Sequence, residues 1–234
     1  MKSALVTGSS SGLGRAVALR LGQEGYRVLV HGRRREKVDE TCRLVKDAGG
    51  QALGHVADLK DVDAADRLAG WSAAQEELSV VVHNAGGYGP APVAAESLDA
   101  WDEILDVQLR APMRITALTL SKMIENQGAY VFVGSVDALK GNPRRGASAA
   151  ASAGRIGFAA SLFEEVREHG VKVITIHPGF MNTPLVSSGR LDPARMIQPE
   201  DVTQLVVSAV SLPPTSCVVE MTVRPQRSPY LNAS

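Results

Sequence analysis

Seven short runs of apolar and β-branched residues, separated by helical segments, constrain this sequence more than any other feature. The runs are SALVT (3–7), RVLVH (27–31), ALGHVA (52–57), SVVVH (79–83), AYVFVG (129–134), VKVITI (171–176) and CVVEMTV (217–223). Several are apolar at successive positions instead of alternating, as strands of a parallel sheet buried on both faces must be. The spacers carry the helical period. Val38, Cys42 and Val45 recur at i, i+4 and i+7 within 36–48, and Gly49-Gly50 then stops the helix. The segment 96–126 is long for one helix, and Pro112 has no backbone N–H. A break is expected there, with Pro112 in the first turn of the second piece. Strand and helix alternate from end to end without a Ser/Gly linker or an internal repeat. The expectation is one α/β domain over residues 1–234, a doubly wound parallel sheet of about seven strands with right-handed crossovers and helices on both faces.

Lys plus Arg equals Asp plus Glu at 25 each, so no net field favours nucleic acid or an anionic membrane. No apolar run approaches membrane-spanning length, and one lysine before a short apolar stretch is no secretion signal. Cys42 and Cys217 are far apart and read as free thiols of a reducing compartment, and the five histidines lack metal-ligand spacing. The expectation is a cytoplasmic protein with neither metal nor nucleic-acid partner.

The stretch TGSSSGLG (7–14) closes the first run and opens a helix expected to reach about Glu24. Gly8 allows a tight turn, Gly12 close backbone approach, and Gly14 contact between helix and sheet. Free N–H groups at the helix start then face an anion, for which a pyrophosphate is the natural ligand.

Three further elements follow in order: Asp58-Leu59 in ADL (57–59), Asn84-Ala85-Gly86 after the fourth run, and HPGFMNTP (177–184) after the sixth. Together with the glycine turn they make nearly the whole chain resemble the short-chain dehydrogenase/reductase family. The resemblance implies a Rossmann-type fold and a nicotinamide dinucleotide. It assigns the phosphates to Thr7, Gly8, Ser10, Ser11, Gly12, Leu13 and Gly14, the adenine end to Asp58 and Leu59, and a further stretch of the cofactor to Asn84, Ala85 and Gly86. Pro178, Gly179 and Thr183 fall to the nicotinamide end. At the end of the second run the chain reads HGRRR, with Gly32 where an acid would repel a 2′-phosphate and Arg33 behind it. A guanidinium fork suits phosphate, so NADP(H) is expected over NAD(H), although three arginines also suit a solvated turn.

The same resemblance implies a Ser, a Tyr-x-x-x-Lys pair and a helical Asn as the proton-handling groups. Ser135 matches the serine. Counting back from Gly157-Phe158, and independently forward from Ser135, puts Ser148 at the tyrosine position and Ser152 at the lysine position. Gln108 falls at the Asn position. No tyrosine lies between Tyr130 and Tyr230, and no lysine between Lys140 and Lys172, so no shift of register restores the pair. A serine hydroxyl is a far weaker acid than a phenol, and positioned acid–base groups supply roughly 10²–10⁴-fold in rate.

Three readings stand at this stage. The chain is an NADP(H)-binding member with little or no carbonyl or alcohol oxidoreduction; or it is an oxidoreductase of a small carbonyl or alcohol with a relocated proton donor. The third reading uses the pocket without redox chemistry, and the retained cradle weighs against it. Candidate donors are Tyr88 and Lys140, with Arg144 and Arg145 on the loop before the degenerate helix. An unknown small-molecule ligand completes the site, and loop 184–198 is expected to form a small polar lid. Small residues from Ala149 to Ala160, with Gly154 and Gly157, suit close packing, and the resemblance implies a homodimer or homotetramer. The tail 221–234 lacks the family's Gly-rich close, so its contacts stay open.

Overall fold

The computed structural model describes residues 1–87, 93, 98–186 and 189–231. Seven strands, β1 (Lys2–Val6), β2 (Arg27–Gly32), β3 (Gln51–Val56), β4 (Glu77–His83), β5 (Ala129–Val133), β6 (Lys172–Pro178) and β7 (Glu220–Val223), form one sheet in the order β3-β2-β1-β4-β5-β6-β7. Every neighbouring pair is parallel. The helices are α1 (Gly12–Gln23), α2 (Arg35–Asp47), α3 (Val62–Ala73), α4 (Leu98–Leu105), α5 (Ala111–Glu125), α6 (Gly146–Val166) and α7 (Pro199–Val210).

The two-faced burial expected of the apolar runs is observed. Val6, Val30, Val82, Val131 and Ile176 point to one face, where they meet Val17 and Leu21 of α1, Val45 of α2 and Val206 of α7. Leu5, Leu29, Val81, Phe132 and Val173 point to the other, against Leu68 of α3, Ile115 of α5 and Leu162 of α6. The chain crosses from β3 at one edge to β4 beside β1, so the C-terminal ends of β1 and β4 adjoin at the point where strand order reverses. Ligands of open α/β sheets bind at such a crevice.

Two expectations are corrected. Pro112 stands in the first turn of α5, as expected, but the helix does not break there: α4 runs into α5 through a π-helical turn at Asp106–Arg110, in which Ala111 N–H donates to the Asp106 carbonyl. The wider turn absorbs the donor that Pro112 lacks without ending the helix. The last strand is shorter than 217–223, because regular pairing with β6 starts only at Glu220 after the chain has left the Pro213-Pro214 turn. Both cysteines are free, and no described helix is long and apolar enough to cross a membrane.

Tyr130 is fully buried, and its hydroxyl lies 2.8 Å from Thr119 Oγ1 and 3.1 Å from the Thr116 carbonyl, tying β5 to α5. Tyr130→Phe keeps the ring and removes this link, so urea denaturation should show a loss of about 1 kcal/mol. An unchanged midpoint would mean that the hydroxyl contributes nothing.

Candidate functional site

The glycine turn lies at the C-terminal end of β1, with Gly8 at φ +66° and Gly12 at φ +52°. Ser11 caps α1 without a side-chain hydrogen bond, and no acidic residue stands in the first turn. The helix therefore presents backbone N–H groups and the positive end of its dipole, the chemistry that an anionic diphosphate fits. Gly14 has no alternative: a Cβ there would sit 2.4 Å from both the Gly8 carbonyl oxygen and Asn84 Nδ2. Leu13 is buried in the core beneath the turn, Ser10 is half-buried, and Thr183 Cγ2 lies 3.5 Å from where a Gly12 Cβ would stand.

Asn84, Ala85 and Thr7 clasp this turn to the end of β4. The backbone N–H groups of Asn84 and Ala85 both donate to Thr7 Oγ1 at 3.0 Å. Asn84 Nδ2 donates to the carbonyls of Thr7 at 3.0 Å and Gly8 at 3.2 Å. The amide of Asn84 thus shapes the turn from within. Gly86 is exposed above it, and Asp58 at the end of β3 accepts from Lys60 N–H at 3.2 Å with Leu59 buried beside it.

Two residues that sequence reasoning missed brace the same turn. His31, buried at the end of β2, accepts the Gly8 N–H at Nδ1 (3.1 Å), and its Nε2 lies 3.1 Å from the Ala57 carbonyl. Only a neutral ring protonated at Nε2 satisfies both. Burial accordingly lowers the His31 pKa to about 4. Arg15 donates from Nη2 to the Ser10 carbonyl at 2.7 Å, from Nε to Thr41 Oγ1 and from Nη1 to Glu40, both at 3.1 Å, and so ties the turn to α2. Hydrogen bonds from Lys37 and Arg15 lower the Glu40 pKa to about 2. A histidine inside an otherwise apolar strand was the available signal for the first; the second had none.

At the far end of β2, Gly32 lies under Ser10: a Cβ there would approach Ser10 Cβ to 2.8 Å. Arg33 and Arg34 follow, both exposed, and Arg35 opens α2.

Across the sheet, Ser135 follows β5. Its Oγ accepts from Asp137 N–H at 3.1 Å, which leaves the hydroxyl proton free to donate elsewhere. Asp137 also accepts from Asn142 and stands 4.0 Å from Arg145. Ser148 is half-buried in the first turn of α6, and Ser152, one turn on, is only 2% exposed. Gln108 is buried in the π turn and donates from Nε2 to the Gly87 carbonyl at 3.1 Å, closing on the loop after β4. Lys140 and Arg144 are exposed, and Tyr88 lies outside the described residues. His83 is fully buried with Nε2 3.0 Å from Thr116 Oγ1, and burial, then the Arg155 charge, lowers its pKa to about 3.

Pro178 ends β6, and Gly179 N–H donates to the Val223 carbonyl at 2.8 Å. A cleft of about 570 Å³ beyond it is lined by Asn182, Thr183, Val186, Leu191 and Met196. The segment over it is less polar than expected: Leu191, Met196 and Ile197 are buried. The tail holds it down, with Asp192 N–H donating to the Pro229 carbonyl (2.8 Å), Leu231 N–H to the Arg190 carbonyl (2.9 Å), and Tyr230 edge-on to Phe180 at 5.5 Å.

A family model described as short chain dehydrogenase matches residues 2–194. An uncharacterized oxidoreductase of Staphylococcus aureus (strain USA300) is 27% identical over 226 residues, covering 96% of this chain and 97% of its own. Among solved structures, a metagenomic short-chain oxidoreductase in complex with NADP is 30% identical with TM-score 0.83, covering 97% of this chain and 98% of its own. A variant of actinorhodin polyketide ketoreductase with NADPH is 27% identical with TM-score 0.87, covering 96% of each chain.

The histidines predict an acid limit. His31 and His83 have folded pKa values of about 4 and about 3, below the ordinary 6.5, so the unfolded chain binds their protons more readily. Stability is then fully present above pH 6.5 and declines as pH falls toward the folded values, by up to about 1.4 kcal/mol per pH unit for each group. The melting temperature should fall between pH 7 and 5, and less steeply in His31→Asn; a flat profile in the parent would contradict the assignment.

Proposed function

The chain belongs to the short-chain dehydrogenase family, and we propose that it is an NADP(H)-binding member whose proton-transfer site is degenerate, with little or no carbonyl or alcohol oxidoreduction by the family's usual route. The observation that carries this reading is the pair Ser148 and Ser152 on α6, in a stretch with neither phenol nor ammonium. The tyrosine and lysine on either side do not replace them. Tyr130 has its hydroxyl committed to α5 and its pKa raised well above the ordinary value by burial. Lys172 Nζ donates to the carbonyls of Val210 and Leu212.

When bound, the dinucleotide supplies or accepts hydride at its nicotinamide. This chain's residues bind and orient it. The turn Thr7–Gly14 takes the pyrophosphate, Asp58 and Leu59 border the adenine, and Asn84 to Gly86 with Pro178, Gly179 and Thr183 flank the nicotinamide side. Ser135 retains a hydroxyl able to orient a substrate oxygen, and Gln108 closes the loop beside it. Hydride geometry alone still lowers a barrier, so residual turnover would be slow, not zero. The exposed side of α6, with Ala150, Ala153, Gly157 and Ala160, is our choice for packing against a second copy of the chain.

Preference for NADP(H) rests on Gly32 and Arg33. Ser10 stands where an acidic side chain at 32 would have to go, and the exposed Arg33 guanidinium offers a 2′-phosphate a charge-assisted hydrogen bond. Titration of nicotinamide fluorescence should show tighter binding of NADPH than of NADH. Arg33→Ala should weaken NADPH by about ten- to a hundredfold, the range for a hydrogen bond to a charged group, and leave NADH unchanged. An unaltered preference would remove Arg33 from the site.

NADPH consumption with a panel of small carbonyls tests the degenerate site. Wild-type turnover should be near background. Efficient turnover, lost in Tyr88→Phe or Lys140→Met, would instead establish a relocated donor.

A further inference from the structure

Between Gly146 and Phe163, α6 carries one charged residue, Arg155, and it is 4% exposed. A lone charge in a stretch of such small and apolar residues is unexpected. Its Nη2 donates to Ser152 Oγ at 3.4 Å, and among the described residues its Nε finds no hydrogen-bond partner. Burial lowers its pKa to about 10, so the guanidinium stays charged at neutral pH. Two neighbours on the sheet below are histidines that the same charge helps keep neutral: His83 at the end of β4 and His177 near the end of β6. His177 lies close because Gly134 between them has no side chain; a Cβ there would sit 2.7 Å from His177 Nδ1. His177 Nε2 is 3.1 Å from Glu220 Oε1, which pairs that acid with the histidine. Among the described residues Arg155 has no counter-charge, and a buried guanidinium in that state is strongly unfavourable.

We propose that Arg155 supplies the positive charge that the family places at residue 152, and that Ser152 and Arg155 work as one unit toward the dinucleotide. The guanidinium donates to Ser152 Oγ, which turns the serine proton outward and strengthens it as a donor to a ribose hydroxyl. Arg155 is thus a positioning residue acting through Ser152. The idea rests on the reading of Ser152 as the lysine position and on the bound dinucleotide. It also explains a division of labour: the pair restores a binding contact but not the acid missing at Ser148. The two solutions exclude each other. A lysine chain at 152 would run into the space held by the Arg155 guanidinium, placing two cations side by side in the interior.

A double-mutant cycle tests this with two readouts, NADPH dissociation constant and melting temperature. Arg155→Met should weaken NADPH binding by about tenfold, the scale of one charge-assisted hydrogen bond, without lowering the melting temperature. Arg155→Lys, which keeps the charge, should bind NADPH within about threefold of wild type on the same scale. Ser152→Lys alone should lose both stability and affinity, and Ser152→Lys with Arg155→Met should regain both. Wild-type affinity in Arg155→Met, or effects at 152 and 155 that simply add, would overturn the proposal. If the parent protein bound neither NADPH nor NADH, the cofactor reading would fall. This proposal would then fall with it, whereas a parent that binds NADPH but shows additive effects at 152 and 155 would reject the pair alone and leave the cofactor reading standing.

Discussion

The fold turns on the join between β1 and β4. Strand order reverses there, so two loops from distant parts of the sequence meet with no helix between them. Thr7 Oγ1 accepts two backbone N–H groups from the β4 loop, and Asn84 Nδ2 donates to two carbonyls of the β1 loop. Four bonds between two short side chains and two backbones hold the glycine turn open toward solvent. Each of these groups would otherwise be left unsatisfied at the edge of the core, where that is expensive. His31 and Arg15 add a second layer, bracing the turn from β2 and α2.

That bracing has an electrostatic character of its own. The interior near the C-terminal ends of the strands contains His31, His83, His177 and Arg155, all buried. Three neutral imidazoles serve as hydrogen-bonding or stacking groups, and one guanidinium carries the charge. His83, for instance, stacks on Phe132 at 4.7 Å. The site therefore has a single buried positive charge beneath it and the free backbone N–H groups of α1 at its rim.

Much of this was legible in the chain. The continuous apolar runs predicted strands buried on both faces, and Gly8, Gly12 and Gly14 marked the turn after the first of them. Even so, the role of Gly14 follows from a partner 70 residues away, since Asn84 Nδ2 fills the space a Cβ would need. Pro112 marked the first turn of α5 but not the form of the join before it, because a π turn is stabilised by neighbouring elements and has no local signature. The loop 184–198 read as polar, yet Leu191 and Met196 are buried under a tail whose contacts no local pattern announces.

The sequence by itself determined the strand and helix alternation, the glycine turn, the Arg33 corner, and the serines at 148 and 152. These depend on residue type and spacing, which local sterics and the periods of helix and strand translate directly. Only the tertiary structure decided that Asn84 spends its amide inside the protein, that His31 must be neutral, and that the buried Arg155 guanidinium donates to Ser152. Those facts depend on which groups the sheet brings within hydrogen-bond distance and on how much water it removes from them. Neither quantity is local, so neither is written in any short stretch of the chain.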